Sequence, residues 1–281
     1  MRVINITNLK GGVAKTISAI NIAFVLAAKH GRRVLLIDND KQGNTTKFFG
    51  LHSYDAPSIA DVLINKDPNT LWSAIKATKY EGYERGDGLC GGLHVLPANM
   101  NLLRANKEIL LDVSRPQQTR LIKALRAMTN AGYIYDYAVI DNAPDLNMSA
   151  INALVAADDV LIPIKIDQFA FDGLDQLRDQ VEETREFNEK IRIAGCFVTM
   201  YARNNVNAQG VDVIRNSGLP VFDTVIRKTV KVDETTFAGV PLPAYSKNCT
   251  AARDYETLVA EYLKNVSETI TKEGSGNNGN G

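Results

Sequence analysis

The chain has 281 residues, 45% of them hydrophobic, which is enough for one large α/β domain or two small ones, and we favour a single domain. Lysine plus arginine equal aspartate plus glutamate at 32 each, so the overall charge points to neither nucleic acid nor a membrane, and any such surface must be local. Cys90, Cys196 and Cys249 lie far apart with no C-x-x-C spacing, which is typical of reduced thiols and argues against a metal or iron–sulfur site.

The ends of the chain carry no targeting signal that we recognise. A strand pattern follows Met1 directly, leaving no room for a charged and then apolar leader. No stretch reaches the ~18 apolar residues of a transmembrane helix. We therefore expect a soluble, cytoplasmic protein.

The first forty residues predict a strand, a helix and a second strand. Residues 2–7 alternate as a strand does, and apolar residues after Lys15 recur at helical spacing until Gly31 ends the helix. A second apolar run, 34–37, ends on Asp38-Asn39-Asp40. Ligands of doubly wound sheets bind at the carboxyl ends of the strands, so this acidic cluster lies where a ligand is expected.

The loop between this first strand and helix, NLKGGVAKT at residues 8–16, has the composition of a phosphate cradle. Small residues let backbone N–H groups approach a polyphosphate, and the following helix adds its positive N-terminal end. Lys15 adds a full charge for the β- and γ-phosphates, and the Thr16 hydroxyl suits the accompanying Mg²⁺. From the residues alone, an ordinary glycine-rich turn is the alternative.

The middle of the chain is less regular until a second carboxylate-ended strand. The patterns predict short helices over 58–64 and 70–77, a flexible surface loop over 80–92, a strand over 93–97 and an amphipathic helix over 117–128. The run from Tyr137 to Asp141 then predicts a buried strand ending on a carboxylate, as a Walker B magnesium site requires. Alone, such an aspartate can equally cap the next helix.

The remaining patterns complete an α/β fold. Further strands are predicted over 158–166, 193–200 and 220–226, with a long helix over 171–188 and a final helix over 250–271. Repeated strand and helix units imply a single domain over 1–272, with a mostly parallel, doubly wound sheet of about seven or eight strands. Residues 273–281 are rich in glycine and asparagine and predict a disordered tail.

Several stretches together resemble one family. The loop fits K-G-G-x-x-K-[ST], in which Lys10 precedes the glycines, and VLLIDNDKQGN (34–44), YDYAVIDNAP (135–144) and NALVAADDVLIP (152–163) follow in order. The chain is identified as a member of the ParA/MinD family of deviant Walker A P-loop ATPases, most similar to the short Soj/ParA partition proteins over roughly residues 1–265. It departs from the family at Ala14, usually Gly, and Lys41, usually Pro.

The resemblance implies ATP and Mg²⁺ as cofactors and assigns the site residues. Catalytic roles fall on Lys10, which reaches the partner's phosphates across a dimer, on Lys15, and on Asp40, which orients the attacking water. Thr16, Asp38 and Asp141 support the metal; turn and cap duty is the alternative for Asp38 and Asp40. The implied nucleotide-binding residues are Lys10, Gly11, Gly12, Val13, Ala14, Lys15, Thr16, Ile17 and, in a loop that resembles the base-contacting segment, Arg227.

A DNA-binding surface is implied in the last third of the chain. Residues 192–253 hold eight basic and four acidic side chains. Arg203, Lys228 and Lys231 fall near positions that carry basic residues in ParA-like proteins, where they contact DNA without sequence preference. An ordinary solvated face is the alternative for a charge excess of this size.

The implied function is an ATP-dependent partition ATPase with weak intrinsic turnover. Its partners are a second copy in the ATP state, non-specific double-stranded DNA and a ParB-like centromere-binding adaptor, with no membrane, so the protein should be cytoplasmic and nucleoid-associated. One alternative is a MinD-like membrane-associated positioning ATPase, although residues 273–281 lack a basic amphipathic helix. The other is a nucleotide-gated DNA-binding scaffold of very low ATPase activity, suggested by Ala14.

Overall fold

The structure is a computed structural model that describes residues 1–67, 69–84, 90–168 and 173–276. Its centre is a sheet in the order β3-β5-β2-β6-β1-β7-β8, with β4 paired to β5. The pairs β5·β2, β2·β6, β6·β1, β1·β7 and β7·β8 are parallel, whereas the short β3 and β4 run antiparallel to β5. The strands are β1 (Arg2–Ile6), β2 (Arg33–Asn39), β3 (Lys76–Ala77), β4 (Tyr83–Glu84), β5 (Cys90–Leu96), β6 (Tyr137–Asn142), β7 (Asp159–Lys165) and β8 (Arg192–Thr199). The predicted mostly parallel α/β sheet is confirmed.

Helices cover both faces of this sheet. Alternate strand residues point to opposite sides, so Ile4 and Leu36 join one apolar cluster with α1 and α12, while Val3 and Leu35 join another with α3 to α8. The helices are α1 (Lys15–His30), α2 (Asn44–Phe48), α3 (Ile59–Ile64), α4 (Thr70–Ala74), α5 (Asn101–Leu111), α6 (Arg120–Asn130), α7 (Met148–Ala156), α8 (Leu174–Thr184), α9 (Asn205–Arg215), α10 (Lys231–Ala238), α11 (Leu242–Tyr245) and α12 (Thr250–Gly276).

The prediction of a strand over 220–226 is wrong, because this segment forms no continuous strand. Within this segment only Val221 forms a bridge, with Cys196 of β8, and a second isolated bridge joins Arg227 to Tyr201 just beyond both elements. Between them, the backbone N–H groups of Asp223 and Thr224 donate to the Glu261 carboxylate of α12, at 2.7 and 3.1 Å. A side chain from a distant helix thus takes the hydrogen bonds that a continuous ladder needs.

Other boundaries differ from the sequence predictions. Strand β5 begins at Cys90, inside the predicted loop over 80–92, and residues 85–89 lie outside the described part of the chain. Helix α8 is shorter than the predicted 171–188, and residues 169–172 are likewise not described. Helix α12 continues to Gly276, into the predicted tail, whose residues 277–281 lie outside the described range. The sequence patterns do not predict α5.

A buried carboxylate joins the amino ends of the strands to α12. Asp159, fully buried at the start of β7, accepts hydrogen bonds from Arg2 Nε at 2.5 Å, Arg192 Nε at 2.7 Å and the Tyr262 hydroxyl at 2.6 Å. Burial alone raises the pKa of Asp159, but the hydrogen bonds from Arg2 and Tyr262 outweigh it and hold that pKa below its usual range. The Asp159 cluster therefore fastens β1, β7, β8 and α12 together.

Within the described residues, no helix combines the length and apolar character needed to cross a bilayer.

Candidate nucleotide-binding site

The loop between β1 and α1 wraps around the ammonium group of Lys15. Lys15 Nζ donates to the carbonyl oxygens of Asn8 at 2.9 Å and Lys10 at 2.7 Å, and the residue is only 7% exposed. Burial lowers the pKa of Lys15, while the carboxylates of Asp141 and Asp40 counteract it. Phosphate oxygens are stronger acceptors than neutral carbonyls, so a polyphosphate can draw this ammonium group to itself.

Two loop residues adopt left-handed backbone conformations. Gly12 has φ 71° and Ala14, directly before α1, has φ 68°. Glycine adopts this region at no steric cost, whereas a Cβ there costs roughly 1 kcal/mol. The Cβ of Ala14 therefore places backbone strain in this loop.

Replacing Ala14 with glycine should stabilise the protein by up to about 1 kcal/mol, because the removed strain exceeds the added entropy of the unfolded chain. The free energy of unfolding in urea measures this effect. Replacing Ala19, which lies inside α1 and is buried, with glycine is the contrasting control, since it should destabilise the protein by at least about 1 kcal/mol. Destabilisation by Ala14→Gly would contradict the strain argument.

Two carboxylates face each other beside this loop. Asp38 and Asp141 are register partners on β2 and β6, and both are fully buried. Thr46 donates to Asp38 through its backbone N–H at 2.8 Å and its hydroxyl at 2.6 Å, and the Thr45 hydroxyl donates to Asp141 at 2.8 Å. Burial raises the pKa of both acids, and the charge of Asp38 raises that of Asp141 further.

This carboxylate pair fits a magnesium ion that arrives with a nucleotide. Asp141 Oδ1 is buried and has no hydrogen-bond partner in the described structure. The Thr16 hydroxyl lies close enough to Asp141 to counteract the rise in its pKa. No group of three or more His, Cys, Asp or Glu side chains suited to a metal occurs in the described ranges.

Asp40 shapes the turn between β2 and α2. Its Oδ1 accepts from the Gln42 N–H at 2.9 Å, and its carbonyl accepts from the Gly43 N–H at 2.8 Å. Asp40 in turn donates its N–H to Asp38 at 3.2 Å. The turn duty considered from the sequence is thus present, and the partly exposed side chain stands next to the buried carboxylate pair.

Lys10 is directed away from the phosphate cradle. Its ammonium group forms an ion pair with Asp167, beyond the end of β7, and both side chains are partly exposed, at 25% and 32%. The backbone of Lys10 remains part of the cradle, because its carbonyl accepts from Lys15. The loop therefore carries one lysine turned inward and one held near its surface. Among the other predicted nucleotide-binding positions, Gly11 is exposed, Val13 is buried, and the Ile17 carbonyl accepts from Asn21.

Two of the three predicted DNA-binding residues lie together, and the third has a different partner. Arg203, Arg227 and Lys228 line one open depression of about 620 Å³. Arg203 and Lys228 are exposed, whereas Lys231 pairs with Glu234 at 2.7 Å. Arg227, which is predicted to bind nucleotide, is held against α12 by Asp254. Its backbone N–H donates to Asp254 at 2.9 Å, and its guanidinium group donates to the same carboxylate at 2.5 Å.

The sequence patterns did not identify three buried asparagines that lie behind the carboxylates. Asn39 Nδ2 donates to Asn142 Oδ1 at 2.7 Å and to the Ser149 carbonyl of α7 at 3.0 Å, while Asn142 Nδ2 donates to Asn5 Oδ1. The Asn5–Asn142–Asn39 triad thus links the carboxyl ends of β1, β6 and β2 on the face opposite Asp38 and Asp141. The feature of the sequence that could have identified these asparagines is a polar residue near the end of each apolar strand.

Comparisons with known proteins agree with this geometry. A family model described as an AAA domain matches residues 1–193. The chain is 36% identical over 276 residues to the chromosome partitioning protein ParA of Caulobacter vibrioides, covering 97% of each chain. It is 35% identical over 268 residues to the sporulation initiation inhibitor protein Soj of Bacillus subtilis, covering 94% of this chain and 99% of that protein. A crystal structure of cobyrinic acid a,c-diamide synthase from Mycobacterium smegmatis with bound ATP analogue and magnesium matches with a TM-score of 0.77 at 26% identity, over 95% and 96% of the two chains. This chain belongs to the ParA/Soj family of P-loop ATPases.

Proposed function

We propose that this protein is a partition ATPase: an ATP-bound dimer holds DNA without sequence preference, and hydrolysis stimulated by a ParB-like partner releases it. The observation that carries this proposal is the buried Lys15 cradle beside the Asp38 and Asp141 pair, with a second loop lysine held near the surface. ATP and Mg²⁺ are its cofactors, and it is an ATP hydrolase.

The residues of the phosphate loop and of the strand ends have separate roles in ATP hydrolysis. Lys15 neutralises charge on the β- and γ-phosphates, and backbone N–H groups from Gly11 to Thr16 hold their oxygens. Thr16, with Asp38 and Asp141 in support, would hold magnesium, which would supply further charge neutralisation. Asp40 stands at the rim of the buried pair and accepts a hydrogen bond from the attacking water, orienting it toward the γ-phosphorus.

Lys10 supplies the dependence on a second copy. To reach a partner's phosphates, its ammonium group must leave Asp167, and a phosphate offers it more negative charge than one carboxylate does. When each of two copies places its Lys10 on the phosphates held by the other copy, both nucleotide sites are complete. ATP then joins the two subunits, and loss of the γ-phosphate weakens the dimer.

The Lys10→Ala variant should lose ATP-dependent dimerisation while the monomer still binds nucleotide through Lys15. Since a charge-assisted hydrogen bond to phosphate contributes about 1.5–3 kcal/mol, DNA affinity in the ATP state should fall at least about tenfold. Light scattering reports the dimer, and fluorescence anisotropy of a labelled duplex reports DNA binding with no nucleotide, ADP, ATP and a slowly hydrolysed analogue.

Lys190→Ala removes an exposed lysine before β8 and is the matched control. Equal DNA binding by the wild type in every nucleotide state would contradict the nucleotide-gated dimer. If DNA binding depends on ATP but turnover stays negligible with DNA and a partner peptide, the protein is a nucleotide-gated scaffold. If DNA is ignored in every state, liposome binding tests the MinD-like alternative.

On this proposal the protein collects on the nucleoid. Arg203 and Lys228 offer exposed cations to DNA phosphates, and Lys231 must exchange Glu234 for a phosphate to join them. Binding should therefore weaken steeply as salt rises. A ParB-like adaptor on its centromere then clears the protein locally, and the cargo follows the remaining protein.

A further inference from the structure

A second basic feature lies at the far end of α10. A groove of about 540 Å³, which we call the α2–α10 groove, runs between α2 and the segment 236–239. Lys47 and Lys79 stand on its walls, and Phe48 and Phe49 form part of its apolar lining. It lies on the same face of the sheet as α1, because Phe48 and Phe49 pack against the cluster that contains α1.

The charge of this groove has one sign. Lys47 and Lys79 are both exposed, and no acidic side chain is among the described residues that line it. This differs from the start of α10, where Lys231 faces Glu234. A surface with two cations and no anion favours a negatively charged partner.

The apolar content of the groove favours an extended partner over a small anion. Phe237 is 95% exposed at the groove edge. A small anion makes no apolar contact with this ring. A nucleic-acid backbone presents phosphates to the lysines and deoxyribose carbons to the phenyl ring. Helix α10 runs from Lys231 to the groove, and Asp233 and Glu234 of its first turn separate the groove from the depression that Lys228 lines.

One wall of the groove is attached to the nucleotide site. Lys47 follows Thr45 and Thr46 within α2, and these threonines donate hydrogen bonds to Asp141 and Asp38. The other wall touches α2 through its backbone, since a Cβ placed on Gly239 would lie 2.6 Å from the Phe48 carbonyl oxygen. The two carboxylates and both walls of the groove are therefore linked through α2.

We propose that the α2–α10 groove is a second DNA-contact site, in which Lys47 and Lys79 bind phosphates and Phe237 packs against the sugars. This inference rests on the DNA binding proposed above and extends it to residues of α2. Through Lys47, the grip on DNA is coupled directly to the nucleotide state of each subunit, in addition to dimerisation.

The test measures affinity for a labelled random-sequence duplex against potassium chloride concentration, with the slowly hydrolysed ATP analogue at saturation. In the Lys47→Ala/Lys79→Ala double variant, the slope of log K against log salt should shrink by about 0.9 for each lost phosphate contact. At low salt, the double variant should bind about tenfold more weakly. Phe237→Ala should lower affinity with no change in slope, because an apolar contact releases no counterions.

The matched control is Lys66→Ala/Lys123→Ala, which removes two exposed lysines from the opposite face of the sheet. Lys79→Ala alone lies outside α2 and should give about half of the slope change without touching the nucleotide site. Dimerisation by light scattering accompanies every variant. The result expected is a slope change in the groove variants and none in the control.

Two failures are distinguishable. If the wild type binds no DNA with the ATP analogue, the proposed function fails and this inference fails with it. If the wild type binds DNA and the Lys47→Ala/Lys79→Ala variant matches the control in affinity and slope, the groove assignment alone is overturned, and the groove is left to a protein segment.

Discussion

Replacing Lys15 with alanine is expected to lower kcat for ATP hydrolysis about a hundredfold or more, because one preorganised charge on the transferred phosphoryl group contributes several kcal/mol to the transition state. Lys10 of the same loop does not replace Lys15, since its ammonium group pairs with Asp167 and, on the proposed function, serves the phosphates of the partner. Phosphate release with Mg²⁺ and DNA at saturating ATP measures the effect. Thermal unfolding of the variant shows whether the loop has kept its structure.

The control for Lys15→Ala is Lys190→Ala, whose turnover should stay within about twofold of the wild type because it changes an exposed position. Lys15→Ala should also lose the stabilisation that ATP gives the wild type in thermal unfolding, since ligand binding to the native state raises its stability. Turnover within a few-fold of the wild type would show that the cradle does not act on phosphate as assigned.

Replacing Asp159 with alanine should lower the free energy of unfolding by about 3–5 kcal/mol, because it removes the buried carboxylate to which Arg2, Arg192 and the Tyr262 hydroxyl donate. For a chain of this size the melting temperature should drop by roughly 10 °C. Where the variant remains folded, its ATP affinity should be unchanged, since Asp159 lies at the amino end of β7 and the phosphate cradle at the carboxyl end of β1.

Glu108→Ala breaks the exposed Arg104–Glu108 pair on α5 and serves as the control, with an expected cost below about 0.5 kcal/mol. The effect of Asp159 also depends on pH. Its folded-state pKa is depressed, so its contribution is complete above the unfolded pKa of about 4 and is lost as pH falls through the folded value. The gap between wild type and Asp159→Ala should therefore narrow in acid, and a gap that is constant with pH would contradict the ionised cluster.

The parts of the fold that the sequence predicted are those set by local pattern. Alternation and helical spacing locate β1, α1 and β2, and strand-ending carboxylates place Asp38 and Asp141 at one sheet edge. Contacts between distant segments leave no such pattern. Glu261 takes the backbone N–H groups of Asp223 and Thr224 from 37 or more residues away, so the strand predicted there is interrupted.

The same limit applies to the candidate site. The loop composition predicts Lys15 and Thr16, and in the structure Lys15 lies inside the loop and Thr16 lies close to Asp141. Lys10 pairs with Asp167, 157 residues away, and Arg227 pairs with Asp254, 27 residues away. These pairs depend on how β7 and α12 pack beside the segments that carry Lys10 and Arg227. Side-chain direction at such positions follows from the packed fold and not from spacing along the chain.

The buried asparagine triad constrains how this site can vary. Each amide hydrogen-bonds to its neighbour, and Asn5 Nδ2 and Asn39 Oδ1 already lack partners among the described residues, so changing one residue alone adds another buried unpaired group at about 1–3 kcal/mol. Changing all three together to apolar residues removes the need for any partner. The effects of single and triple substitutions should be strongly non-additive, and the three strand ends that carry the phosphate loop and both carboxylates are expected to change in evolution as one unit.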